Sequence, residues 1–228
     1  MKNKRHHENL KQMPESPLPA ADALSAVKKF KAPKFDQAVE VCMHLGVDVK
    51  HADQMIRGSV SLPKGIGKNK RVVAFCQDEQ KKAALESGAV KAGGEDLVAE
   101  IEGGWMDFDV AVASPEMMRV ISKLGKVLGP KGLMPSPKNG TVTKDVPEAV
   151  GEFAAGKVEY RTDKGGNVHA VIGKMSFSEG DLLENFEHFL STIEKARPTT
   201  VKGSYIKKIT LSGTMTPGVG VAYTEEEA

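Results

Sequence analysis

Between Arg71 and Ala155 the chain alternates three times between a short apolar run and a helical stretch, and no feature of the sequence restricts the fold more. Arg71 to Gln77 (RVVAFCQ) has the unbroken apolar character of a strand buried on both faces. A helix is predicted from about Glu79 to Ser87, where Gly88 stops it. Ala89 to Ala92 leads to a second predicted helix, Glu95 to Glu102. Phe108 to Ala113 leads to a third that begins at Ser114-Pro115-Glu116, with Ser114 as its cap and Pro115 in its first turn. A fourth helical stretch, about Val146 to Ala155, closes the block before Gly156. Strand-helix units in series imply a parallel, doubly wound sheet.

Outside this block the periodicity changes. Val39, Val41, Met43, Leu45 and Val47 alternate with Glu40, Cys42, His44 and Gly46, as in a half-buried antiparallel strand. Lys157 to Arg161, Val168 to Ile172 and Tyr205 to Leu211 also have strand character. A helix from about Ser178 to Ala196 repeats Leu182, Phe186, Phe189 and Ile193 at helical spacing. Because similar architecture lies on both sides of the block, the simplest tracing is an α/β and α+β protein of two domains. Residues 1–67 plus 158–228 form a discontinuous α+β domain, and 68–157 are an inserted, Rossmann-like domain. The expected tethers are about Pro63 to Lys70 and Gly156 to Lys164, a two-strand connection suited to a hinge.

The net charge of +2 conceals segregation. Arg57 to Gln77 carries five basic residues and no acid, whereas Asp78 to Glu116 carries ten acids against Lys81, Lys82 and Lys91. Met117 to Lys144 again has no acid, and Arg119, Lys123, Lys126, Lys131, Lys138 and Lys144 give it a charge of +6. Within it, Leu124 to Pro137 (LGKVLGPKGLMPSP) is so rich in glycine and proline that a shaped cationic loop, neither helix nor strand, is expected. A polyanion is the natural partner of such a surface. A turn-rich connector with solvated lysines is the competing explanation.

The order of residues decides between them. Val120 to Pro137 (VISKLGKVLGPKGLMPSP) resembles the signature of the large-subunit ribosomal protein one family, in its bacterial type. Gly103 to Pro115 (GGWMDFDVAVASP) and Gly58 to Lys68 (GSVSLPKGIGK) are similar to further segments of that family in the same order, and the likeness runs from about Phe30 to about Val221. It implies a discontinuous two-domain protein that binds large-subunit rRNA and forms the mobile stalk at the tRNA exit site of the large ribosomal subunit. It also implies assistance in releasing deacylated tRNA and repression of the protein's own operon mRNA.

The resemblance assigns rRNA and mRNA contact to three segments. Lys34 and Phe35 open the alternating strand, and plain core packing is the other explanation for Phe35. Asp163, Lys164, Gly165 and Asn167, followed by His169, form a polar turn that could equally be a bare hairpin. Thr214, Met215 and Thr216 make the third segment, where the family usually has glycine at the position of Thr216. Ala38 stands where related sequences can carry a threonine. The basic loop with Lys123, Lys126, Lys131 and Lys138 is expected to face tRNA. An aromatic content of 5 % also favours recognition of a folded RNA's shape over a stacking platform.

Other chemistry is not signalled. No G-x-G-x-x-G follows the Arg71 strand and no G-x-x-x-x-G-K-[ST] occurs, so the doubly wound block lacks the usual nucleotide fingerprints. No HExxH or CxxC occurs; no metal, cofactor or catalytic residue is expected. Asp107 and Asp109 read as a solvated strand edge. Cys42 and Cys76 read as small buried hydrophobes in a reducing compartment. The polar amino end and the lack of a run of roughly 18 apolar residues predict a cytosolic, ribosome-associated protein with no membrane partner. The alternatives are an enzyme using a phosphorylated small molecule on the middle domain, and a nonspecific basic scaffold.

Overall fold

The computed structural model describes residues 4–51 and 53–224. In chain order the first elements are α1 (Lys4–Lys11), α2 (Ala20–Lys29), β1 (Ala38–Leu45), β2 (Arg57–Val60), β3 (Val72–Phe75), α3 (Asp78–Glu86), β4 (Ala89–Gly93), α4 (Glu95–Glu102) and β5 (Val110–Ala113). There follow α5 (Met118–Ile121), α6 (Gly125–Leu128), α7 (Val146–Ala154), β6 (Val158–Arg161), β7 (Asn167–Lys174), α8 (Glu179–Lys195), β8 (Ile206–Gly213) and β9 (Val219–Val221). The chain separates into two compact units, one taking in Met1–Gly67 and Val158–Ala228 and the other Lys68–Lys157.

In the first unit, β1 lies between β7 and β8 in an antiparallel sheet of order β7-β1-β8-β9, and β2 pairs with β6 in a separate two-stranded ladder. Alternation along β1 buries Val39, Val41, Met43 and Leu45 and leaves Ala38, Glu40, Cys42 and His44 on the other face. The buried set joins Leu24 and Val27 of α2 and Leu182, Phe186, Phe189 and Ile193 of α8 in one core. Ser178 starts α8 with a capping exchange: its Oγ accepts from the Asp181 N–H (3.1 Å) and donates to Asp181 Oδ2 (2.6 Å). Asn185, fully buried on α8, donates to the carbonyls of Ile172 (2.8 Å) and Gly65 (3.0 Å) and accepts from the Lys64 N–H (3.0 Å). That amide fastens the 64–65 loop to β7.

In the second unit, β3 is the middle strand of a parallel sheet of order β4-β3-β5. Its residues alternate between two cores because both faces are covered. Val72, Ala74 and Cys76 join Ala84 of α3 and Val146, Val150 and Phe153 of α7 on one face. Val73 and Phe75 join Leu97, Val98 and Ile101 of α4 with Ile121, Leu124 and Leu128 on the other. This is the doubly wound pattern expected from the apolar run.

Five expectations need correction. The Leu124 to Pro137 segment contains helical turns, Ser122–Leu124 and α6, because Leu124 and Leu128 drop into the core at one-turn spacing despite the flanking glycines. Ser114 does not cap a helix; α5 begins four residues later, after a turn in which the Met117 N–H bonds to the Ser114 carbonyl (3.1 Å). Asp107 and Asp109 are not merely solvated. The Arg71 guanidinium bonds both, and Asp109 also accepts from the Arg71 backbone N–H (3.1 Å), which holds its carboxyl below the usual range. Gly156 to Lys164 is not a tether throughout, because β6 already pairs with β2 from Val158. Only Cys76 is a core residue; Cys42 is half-buried on the polar face of β1, where desolvation raises its thiol pKa.

Candidate nucleic-acid interface

The residues singled out in the first unit fall at opposite ends of the polar face of one sheet. At the end where β1 starts and β7 and β8 finish, Phe35 is 50 % exposed and Met215 53 %. Phe35 is therefore no core residue. Gln37, two residues beyond Phe35 in the chain and 1 % exposed, links this stretch to Met215. Its Oε1 accepts from the Met215 N–H (2.8 Å) and its backbone carbonyl from the Met175 N–H (2.9 Å). The Ala38 N–H donates to Thr214 Oγ1 (3.2 Å), and the Thr214 N–H donates back to the Ala38 carbonyl (3.1 Å). Asp36 accepts from the Ser176 N–H (3.2 Å) and hydroxyl (2.8 Å). Upstream, the buried Asn9 of α1 clips both backbone groups of Lys31, at 2.9 and 3.2 Å. Three chain segments thus form one braced patch with an aromatic ring and a thioether left in solvent.

Thr216 has a role of its own there. Its Oγ1 accepts from the Gly213 N–H (2.8 Å) while its N–H bonds to the Gly213 carbonyl (3.1 Å), closing the turn that presents Thr214 and Met215. A hydroxyl thus does locally what backbone freedom would do with glycine.

At the opposite end, the β6–β7 hairpin is organised by Asp163. One carboxylate oxygen accepts from the Gly165 and Asn167 N–H groups, both at 2.8 Å, and the Asn167 side-chain amide adds a bond at 3.2 Å. These bonds, the Asn167 backbone foremost, lower the Asp163 pKa to about 2. Gly166, at φ 76°, takes a left-handed conformation that its lack of Cβ permits and offers its carbonyl to the Leu45 N–H (2.9 Å). Asn167 also meets His44 Nδ1 (2.9 Å), and His169 lies 3.5 Å from Asp163. Asp163, Gly165 and Asn167 thus spend polar groups on the turn itself, and Lys164 and His169 are exposed beside the likewise exposed Asp163.

The two ends are joined by the strand face. Glu40 pairs across with Val171 and Ser212, Cys42 with His169 and Thr210, and His44 with Asn167 and Lys208. Ala38 to His44 spans about 20 Å at the usual rise per residue. Arrayed donors and acceptors at this scale suit a nucleic-acid backbone better than a small ligand. Gln37 was missed by sequence reasoning because its significance lies in the neighbours that long-range strand pairing brings to it. The one local signal is its position just ahead of the alternating run.

In the second unit Lys123, Lys126, Lys131 and Lys138 are all exposed on the turns after β5. Among the described residues none has a carboxylate at ion-pair distance. Gly132, at φ 72°, lets the chain reverse so that the Leu133 N–H returns to the Leu128 carbonyl (3.0 Å).

A cleft of about 350 Å³ opens at the carboxyl ends of β3 and β5, where a doubly wound sheet holds ligands. Gln77, Gln80, Ser114, Glu79, Glu116 and Lys144 line it. Two carboxylates face one ammonium there, a poor balance for a phosphate. Among the described residues, no group of three or more His, Cys, Asp or Glu could hold a metal ion, and no helix is long and apolar enough to cross a membrane.

Residues 27–217 fit the family model described as the ribosomal protein L1p/L10e family.

Proposed function

The chain belongs to the ribosomal protein L1p/L10e family, a structural and RNA-binding family of the ribosome, and from that premise we propose that its first unit grips large-subunit rRNA. The two units act as a discontinuous rRNA-binding domain, residues 1–67 plus 158–228, and an inserted domain, 68–157. The observation that carries this reading is the braced patch in which Gln37, two residues after exposed Phe35, bonds to exposed Met215. Exposed apolar groups next to backbone donors match an RNA sugar edge, Lys34 and Lys164 supply cationic contacts to phosphate, and His169 offers a hydrogen-bonding ring. The same surface would take the protein's own operon mRNA if that message mimics the rRNA site. The free lysines of the inserted domain hold exit-site tRNA, and letting go of them is the step by which the protein assists release of deacylated tRNA.

Two substitutions test the division of roles. Met215→Asp puts a carboxylate against RNA and weakens binding of a stalk rRNA fragment by about 2 kcal/mol or more. Lys126→Glu leaves that affinity unchanged but speeds exit-site tRNA dissociation from reconstituted ribosomes. If Lys126→Glu abolishes fragment binding while Met215→Asp is silent, the roles are reversed. An enzyme acting on a phosphorylated substrate would instead use the β3–β5 cleft, and saturable nucleotide binding there would favour it.

A further inference from the structure

Beyond the hairpin end of the sheet lies an open groove that shares Lys164 and Gly165 with the hairpin contact segment and otherwise lies outside the contact segments. Gly46 to Val49, Gln54, Lys164 to Gly166, Thr200, Lys202 and Lys207 line it. The volume is about 550 Å³. Lys164, Lys202 and Lys207 are exposed. Among the described residues none of the three has a carboxylate at ion-pair distance. The one acid in the lining, Asp48, accepts from the Lys50 N–H (3.0 Å) and lies 3.9 Å from His51.

The groove's geometry comes from close backbone approach. The Gly46 N–H bonds to the Tyr205 carbonyl (2.7 Å), and a Cβ on Gly46 would meet the Ser204 carbonyl oxygen at 2.3 Å, so only glycine lets the wall carrying Lys207 come this near. Lys207 is held there by β8, whose next residue, Lys208, pairs with His44 on the polar strand face. The groove is therefore continuous with the candidate interface through both Lys164 and β8.

We propose that this groove is a phosphate track, carrying the backbone of the same RNA past the hairpin, with Lys164, Lys202 and Lys207 as its cations. This rests on the rRNA-binding reading of the first unit. Three unpaired ammonium groups facing one engaged carboxylate favour a polyanion, and the groove's open form suits a continuous strand. Lysines on phosphates give affinity and salt dependence without reading sequence.

The test compares the full chain with the Lys202→Ala/Lys207→Ala and Lys202→Arg/Lys207→Arg variants, binding a stalk rRNA fragment and an unrelated hairpin of equal length over a salt series. The alanine pair should weaken both RNAs by a similar factor, on the order of tenfold, and flatten the log-log salt slope by about 1 per lysine. The arginine pair should restore both values. An unchanged slope and affinity, or a loss confined to the stalk fragment, overturns the phosphate track. Met215→Asp run alongside separates the two failures: if it weakens binding while the lysine variants are silent, only the groove is lost. If it too is silent, the rRNA-binding reading of the unit falls.

Discussion

The four-stranded sheet of the first unit is buried on one face and polar on the other along β1, whereas β3 and β5 of the second unit are buried on both. The consequence is visible residue by residue. On β1 every second side chain is spared the core, so Glu40, Cys42 and His44 are available to a partner. On β3 each of the four residues is buried, and β5 repeats this from Val110 to Ala113. Strands β3 and β5, covered on both faces, have no surface to offer, so the second unit meets a macromolecule through its turns, its helices or the edge strand β4, where Val90 is exposed. Its free lysines lie on the turns after β5. Two ways of building a β-sheet thus lead to two kinds of binding surface, one scaffolded by strands and one carried on loops.

The sharpest way to break this comparison is to place the same charge on both sheets. Val112→Asp, fully buried in the second unit, should destabilise it by about 3–5 kcal/mol, since an unpaired carboxylate would lie between two cores. Thr210→Asp, on the polar face beside Cys42, should cost less than about 0.5 kcal/mol. Chemical denaturation of each variant measures both, and equal costs would mean that the strand face of the first unit is not free.

Next in size is Gln37. Replacing it with alanine leaves the Met215 N–H without its acceptor, so rRNA affinity should fall by about 1–2 kcal/mol. Combined with Met215→Ala, the losses should fall short of their sum, because both act on one patch. Full additivity in the double variant would show that Gln37 does not act through Met215.

The smallest effect concerns the opposite end of the sheet. Asp163 has its pKa lowered to about 2 by the amides of its own turn, against an unfolded value near ~3.9. Its contribution is therefore fully present above about pH 4 and is lost as pH falls through about 2. NMR titration should give that midpoint, with exchange protection at Gly165 and Asn167 declining over the same window. A midpoint near the unfolded value would mean that the hairpin is not prearranged by this carboxylate.

The strand-helix block and the long amphipathic α8 were legible because their periods are local: four consecutive buried residues in β3, and Leu182, Phe186, Phe189 and Ile193 on one helical stripe. What stayed hidden depends on distant partners. Arg57–Val60 is too short and too polar to announce a strand, and it is one because Val158–Arg161 lies beside it. Ser114 looks like a cap in sequence, yet the turn to Met117 intervenes. The candidate contact residues were readable as segments through family resemblance, but not their grouping. Nothing local puts Phe35 with Met215, or separates both from Asp163 by the length of β1.

The claim that strand-scaffolded and loop-borne surfaces have different partners is tested most directly by hydroxyl-radical footprinting of the full chain with and without a stalk rRNA fragment. Phe35 and Met215 are both reactive side chains and both about half exposed. The account predicts that RNA shields them together with His169, while oxidation of Met134 in the glycine- and proline-rich loop is unchanged. Shielding of Met134 with Phe35 and Met215 left reactive would contradict it.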